Sequence, residues 1–400
     1  MYTQKFVSAV AALSLATGAW ALDCSDDTVT IESASDITTF QSCDSVDGNV
    51  VITTGAGETI DISGPSSIGG DFTVENNGGL ISLTSDSLET IGGAFTLKNL
   101  TLISTLSFTK LSSVDSINWA TLSNLDTLTF GTPGLTSAKT VAIADTFLST
   151  LEGINIHSLD SMDINNNHRL TDFTTELYNL STLLNINANG EDLSVSMPNL
   201  IWAANMTISN VTSFSAQSLE TINGSIRFDS NYFTSFSAPN LTEVQTGDVS
   251  FVSNSEITNI SMPLLTKVGG GFTIANNTAM EELNGFPALE TVGGAVLIRG
   301  NFSEVDLPSL KEVDGGFDIS STGDIDTSCD TFKTLSSKDY IKGSYSCTSN
   351  NADANSDLDS TGGTSSSGNS SSSAVIGASG MSMSWLVSLV SIAGFVVAFL

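Results

Sequence analysis

Apolar and polar residues alternate over Phe95-Thr-Leu97, Phe272-Thr-Ile274 and Phe317-Asp-Ile319, the period of two that marks a half-buried strand. A Gly-Gly pair precedes each of these strands, as suits a corner that needs positive φ or close approach between backbones. After the strand comes an asparagine-rich turn, at Asn76-Asn77, Asn165-Asn166-Asn167, Asn231, Asn254 and Asn276-Asn277. Asparagine tolerates left-handed backbone and bonds nearby peptide groups, so it belongs at such a bend. A second apolar pair follows, as in Phe233-x-x-Phe236 or Val305-x-Leu307, and a Pro-x-Leu element then opens the next unit. Six of the seven prolines stand in that element: Pro133, Pro198, Pro239, Pro263, Pro287 and Pro308.

The unit is clearest at Leu88-Glu-Thr-Ile-Gly-Gly-Ala-Phe-Thr-Leu97 and Leu289-Glu-Thr-Val-Gly-Gly-Ala-Val-Leu-Ile298, and it recurs from Leu265 and Leu310. Weaker copies start at Leu111, Ile156, Leu180 and Leu219, and an atypical first copy places Pro65 in the leucine position. With Leu135, Leu200 and Leu241, the anchors are spaced 19 to 24 residues apart, about 22 on average. A period in that range is the signature of a solenoid. The pattern predicts an all-β body of about twelve repeats, parallel and β-helix-like, with no amphipathic helix inside the repeat. One repeat buries too little apolar surface to offset the entropy of ordering its backbone, so stability must come from stacking, and both ends need caps.

The four cysteines sit where caps belong, Cys24 and Cys43 before the first repeat and Cys329 and Cys347 after the last. Three pairings are open to four cysteines; of these, 24–43 with 329–347 is local and leaves the solenoid unconstrained. The expected organisation is a signal peptide over 1–21, an N-terminal cap over 22–64, and the repeat body over 65–328. A C-terminal cap over 329–348, a Ser/Gly-rich stalk over 349–369 and a cleaved propeptide over 370–400 complete it.

The two ends give an address. Lys5, an apolar run over residues 6–15 and the small-residue site Ala19-Trp20-Ala21 form a secretory signal. The Ser/Gly/Asp/Asn-rich stretch 349–373 cannot bury a core, and an apolar tail over 385–400 follows with no charge after Asp359. A membrane span carries basic residues on its cytoplasmic flank; small residues, a spacer and a terminal apolar tail instead make a glycosylphosphatidylinositol (GPI) attachment signal. Attachment is expected at Asn369 or Gly368. Ten Asn-x-Ser/Thr sequons accompany these signals: Asn99, Asn179, Asn205, Asn210, Asn223, Asn240, Asn259, Asn276, Asn301 and Asn369. Asn99, Asn210, Asn276 and Asn301 fall in the turn after the strand, where an inward-pointing side chain could carry no glycan. Asn179, Asn240 and Asn259 are therefore the better glycan sites.

The formal net charge is −31, which repels nucleic acid and anionic membrane surfaces and argues against both as partners. Contact with membrane is expected through the GPI lipid only.

Signal peptide, Leu-x-x-Ile-Gly-Gly-x-Phe-x-Ile repeats, a cysteine pair at each end, a Ser/Gly stalk and a GPI tail together resemble the fungal GPI-anchored cell-wall organisation proteins (the extracellular-mutant and sporulation-specific group), whose repeats are related to the receptor L-domain. The resemblance covers essentially the whole chain. It implies a right-handed parallel β-helix-like, leucine-rich-repeat solenoid at the plasma membrane or cross-linked into the wall. It also implies a requirement for normal wall integrity, with no catalytic residues to carry over. Residues 111–200 keep the period but lose most Gly-Gly pairs, so bulges or insertions are expected there.

Enzymatic chemistry finds little purchase. The two histidines are His157 and His168; His157, Asp160, Asp163 and His168 lack zinc-type spacing, and no nucleophile-elbow motif occurs. No cofactor is expected. A non-enzymatic surface protein whose solenoid face binds wall glycan or another wall protein fits best, ahead of a receptor-like ligand binder or a glycan-remodelling enzyme. Trp119, Trp202, Tyr178 and Tyr232 are the aromatic candidates for ligand contact, each to be weighed against a place in the core.

Overall fold

A computed structural model describes residues 22–355; the expected signal peptide, the expected GPI-attachment residue (Asn369 or Gly368) and the apolar tail lie outside them. The described chain winds into a β-solenoid of about 13 turns. Its main sheet stacks strands in parallel from Thr28–Ile31 and Asn49–Ile52 at one end to Phe317–Ser321 and Tyr345–Thr348 at the other. The coils therefore begin inside the span 22–64.

Register explains the core. Val249, Phe272, Val296 and Phe317 stand in line across successive strands, and so do Phe251, Ile274, Ile298 and Ile319; all eight are buried. Each coil thus places its inward side chains on those of the coil before, the stacking that an isolated repeat lacks. The opposing face is shorter and interrupted. Thr59–Asp61, Ser82–Ser85, Thr105–Phe108 and Thr127–Phe130 form one four-stranded sheet, and a separate sheet begins at Asp172–Thr174. In the central coils that lack Gly-Gly, Ser113–Leu122, Ser158–Asn165 and Asn179–Asn187 run unbroken through the corner. A register shift between Leu159 and Ser161 absorbs the irregularity.

The glycine pairs act by one of the two routes expected. Left-handed glycines among the described residues are Gly57, Gly64, Gly134 and Gly153, none of them in a Gly-Gly corner. What those corners need is space: a Cβ on Gly92 would collide with the Gly69 carbonyl oxygen, and one on Gly293 with that of Gly269.

The turn after the main strand carries a buried polar ladder. Asn76, Asn166 and Asn276 take left-handed backbone, which turns the following residue, Asn77, Asn167 or Asn277, inward. Each inward asparagine clamps the preceding coil. Asn254 Nδ2 donates to Phe228 O at 3.0 Å, and its Oδ1 accepts the Asn231 backbone N–H at 2.9 Å. Asn277 repeats this on Phe251 O and the Asn254 N–H, both at 2.9 Å. Asn231 does so on Ile208 O at 2.9 Å and the Val211 N–H at 3.1 Å. Backbone groups that the bend leaves unpaired are thereby satisfied inside the core.

Each end is closed by a helix and a disulfide. Helix α1, Ala34–Phe40, buries Phe40 at the N-terminal end, where Cys24 bonds Cys43 with Cα atoms 5.9 Å apart. Helix α2, Asp326–Ser337, covers the other end, with Phe332 against Phe317 at 4.8 Å between ring centroids and Cys329 bonded to Cys347. Beyond the last strand the chain turns back along the flank. Asn351 Nδ2 donates to Ser320 Oγ at 2.9 Å, Asn355 Nδ2 donates to Asn301 Oδ1 at 2.7 Å, and Ala354 is buried between them.

Candidate ligand-binding flank

Two of the four aromatic candidates come together. Backbone bonds align His157, Tyr178 and Ile201 one coil apart, Tyr178 N–H donating to His157 O at 2.7 Å and Ile201 N–H to Tyr178 O at 2.9 Å. In the adjoining column Ser158, Asn179 and Trp202 are register partners. Leu180 and Ala203, the next residues along, are buried, so strand alternation sends Asn179 and Trp202 outward. Tyr178 is 40% exposed and Ile201 43%, while Trp202 is half-buried. The His157 ring stacks on Tyr178 with centroids 5.1 Å apart and planes inclined by 28°. The result is an aromatic and apolar strip crossing three coils on the outside of the main sheet.

Polar groups edge the strip. Ser181 Oγ donates to Asp160 Oδ1 at 2.6 Å on one side. Glu220, whose N–H donates to Ile201 O at 2.9 Å, continues the column. Asp160 also adds to the field of Asp115, whose hydrogen bond and charge hold the Lys139 ammonium above the usual lysine range. Further along the sheet, burial pushes the Asp229 carboxyl up, partly offset by the Ser230 hydroxyl that donates to it.

The other two candidates stand apart. Trp119 does not reach solvent: it is 1% exposed, edge-on to Phe95 at 5.5 Å and stacked with Phe130 at 6.5 Å. An inward position on Ser113–Leu122 makes it a core filler, and its indole N–H meets no acceptor among the described residues. It is withdrawn as a ligand contact. Tyr232 is 42% exposed but follows the strand Ile226–Asp229, at the opposite edge of the sheet from Trp202. His157 and Ile201 were missed as members of the strip. The repeat ruler could have found them, because each lies one coil from Tyr178. His168 is exposed and separate, and among the described residues no group of three His, Cys, Asp or Glu side chains is placed to hold a metal ion.

The asparagines of the sequons divide by what their carboxamides do. Those at the turn are not the inward ones: Asn99, Asn210 and Asn276 take the left-handed position, one residue before the buried Leu100, Val211 and Asn277. Several nitrogens are nevertheless engaged with a neighbouring coil. Asn99 donates to Asn76 Oδ1, Asn205 to Thr182 O, Asn210 to Ser230 O, Asn240 to Gln217 O, Asn276 to Ser253 Oγ and Asn301 to Thr278 O. Asn179, Asn223 and Asn259 are exposed and form no such side-chain bond among the described residues.

Neither a protein-family profile nor a solved structure matches the chain. Curated proteins do. It is 37% identical to a cell surface GPI-anchored protein of Arthroderma benhamiae, over 84% of this chain and 86% of that protein. It is 37% identical to protein ecm33 of Aspergillus fumigatus, over 85% and 84% of the two chains. Identity to the cell surface GPI-anchored protein ECM33 of Candida albicans is 30%, over 81% and 78%. With identity sustained across the coils that form the body, the chain belongs to the Ecm33 family of fungal cell-surface proteins.

Proposed function

We propose that this chain is a non-enzymatic, GPI-anchored protein of the outer plasma membrane face and cell wall, and that it binds wall polysaccharide through the strip of His157, Tyr178, Ile201 and Trp202. The relatives' names, cell surface GPI-anchored protein and cell wall protein, support the location. The stacked His157–Tyr178 pair beside Trp202 carries the binding reading: these rings face water although the core beneath them is already filled. A sugar ring offers C–H bonds of partial positive charge to the negative face of an aromatic ring, and its hydroxyls need acceptors at the edge. Asp160 and Glu220 supply acceptors. Parallel coils rise about 4.8 Å apart, close to the length of one sugar residue, so a polysaccharide lying across the coils meets a ring or an apolar side chain at each step.

The test is retention of the phospholipase-released full chain, with its N-linked glycans and after their enzymatic removal, on particulate β-glucan, chitin and mannan. Retention of at least one form on one polysaccharide is expected, falling about tenfold on Tyr178→Ala or Trp202→Ala, as loss of about 1.4 kcal/mol implies. Failure of both forms to bind, or retention indifferent to both substitutions, would overturn the reading. Residual attachment to membranes after phospholipase treatment would overturn the anchor.

A further inference from the structure

Asn179 sits inside this strip, and three observations single it out. Its carboxamide is uncommitted, unlike those of Asn205, Asn240 and Asn301, so a glycosidic bond there displaces no coil-to-coil hydrogen bond. Its register partner on the next coil is Trp202, pointing the same way from the same sheet. Its chain neighbour is Tyr178, exposed and stacked on His157. Asn223 and Asn259 share the first feature only: Asn223 follows Thr221-Ile222 and Asn259 pairs with Ser235.

We propose that Asn179 carries an N-linked glycan whose first N-acetylglucosamine lies on the Trp202 indole, so that the strip is covered when Asn179 is modified and open when it is not. Neighbouring parallel strands are about 4.8 Å apart, which brings a sugar linked to Asn179 Nδ2 directly over the half-buried indole. The covered face of Trp202 then meets C–H groups of the sugar instead of water. The consequence for wall polysaccharide rests on the binding reading above: occupancy at Asn179 would close the strip, and unmodified chains would bind.

The chain offers its own reporter. Of its four tryptophans, Trp20 lies in the signal peptide and Trp385 in the apolar tail, which leaves Trp119 and Trp202 in the processed protein. Trp119 is buried, so quenching of fluorescence by acrylamide reads Trp202. Full-length protein from a fungal host would be compared with Asn179→Gln and Ser181→Ala, which remove the sequon at different residues. Glycopeptide mass spectrometry should find a glycan on Asn179. Both variants should raise the quenching constant about twofold and gain about tenfold in polysaccharide retention. An unmodified Asn179, or quenching unchanged in both variants, overturns the proposal. Increased quenching without any gain in retention supports the covering glycan and counts against polysaccharide binding, so the two readings fail separately.

Discussion

Asn254→Leu is expected to destabilise the solenoid by about 2–6 kcal/mol, because two buried backbone groups lose a partner and each costs about 1–3 kcal/mol. The substitution removes the acceptor of the Asn231 N–H and the donor to Phe228 O. Two carboxamide contacts also go, with Asn231 Nδ2 at 2.9 Å and Asn277 Oδ1 at 3.1 Å, although each of these atoms keeps a second bond. Leucine is close in size and apolar, so a core that valued only hydrophobicity would accept it. Chemical denaturation of the full chain measures the difference, with the exposed Asn284→Ala as a control expected to stay within about 0.5 kcal/mol. Equal stability of Asn254→Leu and the unmodified protein would show that the ladder is dispensable. Because coils contact only their neighbours, the loss should be local. Hydrogen exchange should rise first over the strands Ile226–Asp229, Val249–Val252 and Phe272–Ala275.

Phe228→Ala is the second large effect, about 3–5 kcal/mol for truncating a fully buried phenylalanine. Phe228 is the hub of the aromatic cluster in this half of the body. Its ring centroid lies 4.5 Å from Phe236, 4.8 Å from Phe251, 5.5 Å from Phe214 and 5.8 Å from Phe233. Two of these partners, Phe214 and Phe251, belong to the coils before and after, so the cavity would weaken the interfaces on both sides of its own coil. Phe147→Ala, at a solvent-facing ring under the Arg169 guanidinium, is the contrast and should cost far less. Equal losses at Phe147 and Phe228 in the same denaturation series would contradict their placement.

What could be read in the chain was what repeats. The alternation at Phe272-Thr-Ile274 reappears as an inward pair flanking an outward threonine, and Leu289 and Leu310 are buried as their recurrence required. Periodicity is blind to the ends, where the pattern stops. The twelve-residue helix Asp326–Ser337 rests on Phe332, Leu335 and the disulfide-bonded Cys329, too few to announce itself amid serine and threonine. The role of Gly-Gly was legible only as a pair of options, since positive φ and close approach favour the same residue type.

The flank shows the same limit. Tyr178 and Trp202 looked like isolated aromatics because their proximity runs between coils, perpendicular to the sequence. Only a register fixed to the residue makes Asn179 and Trp202 neighbours. Trp119 and Trp202 are the same residue type on strands of the same sheet, and alternation turns one into the core and the other outward. Composition could not have separated them.

The segment that turns back along the flank, through Asn351 and Asn355, bears on how the body is held. Whatever the anchor pulls on reaches the solenoid at Asn301 and Ser320, on its side, before it reaches the terminal strand Tyr345–Thr348. Tension from the membrane would first peel two asparagine contacts and lift Ala354, a graded yielding, while the disulfide between Cys329 and Cys347 keeps the end coil from unravelling. A tether attached this way would give by steps before load reached the last coil.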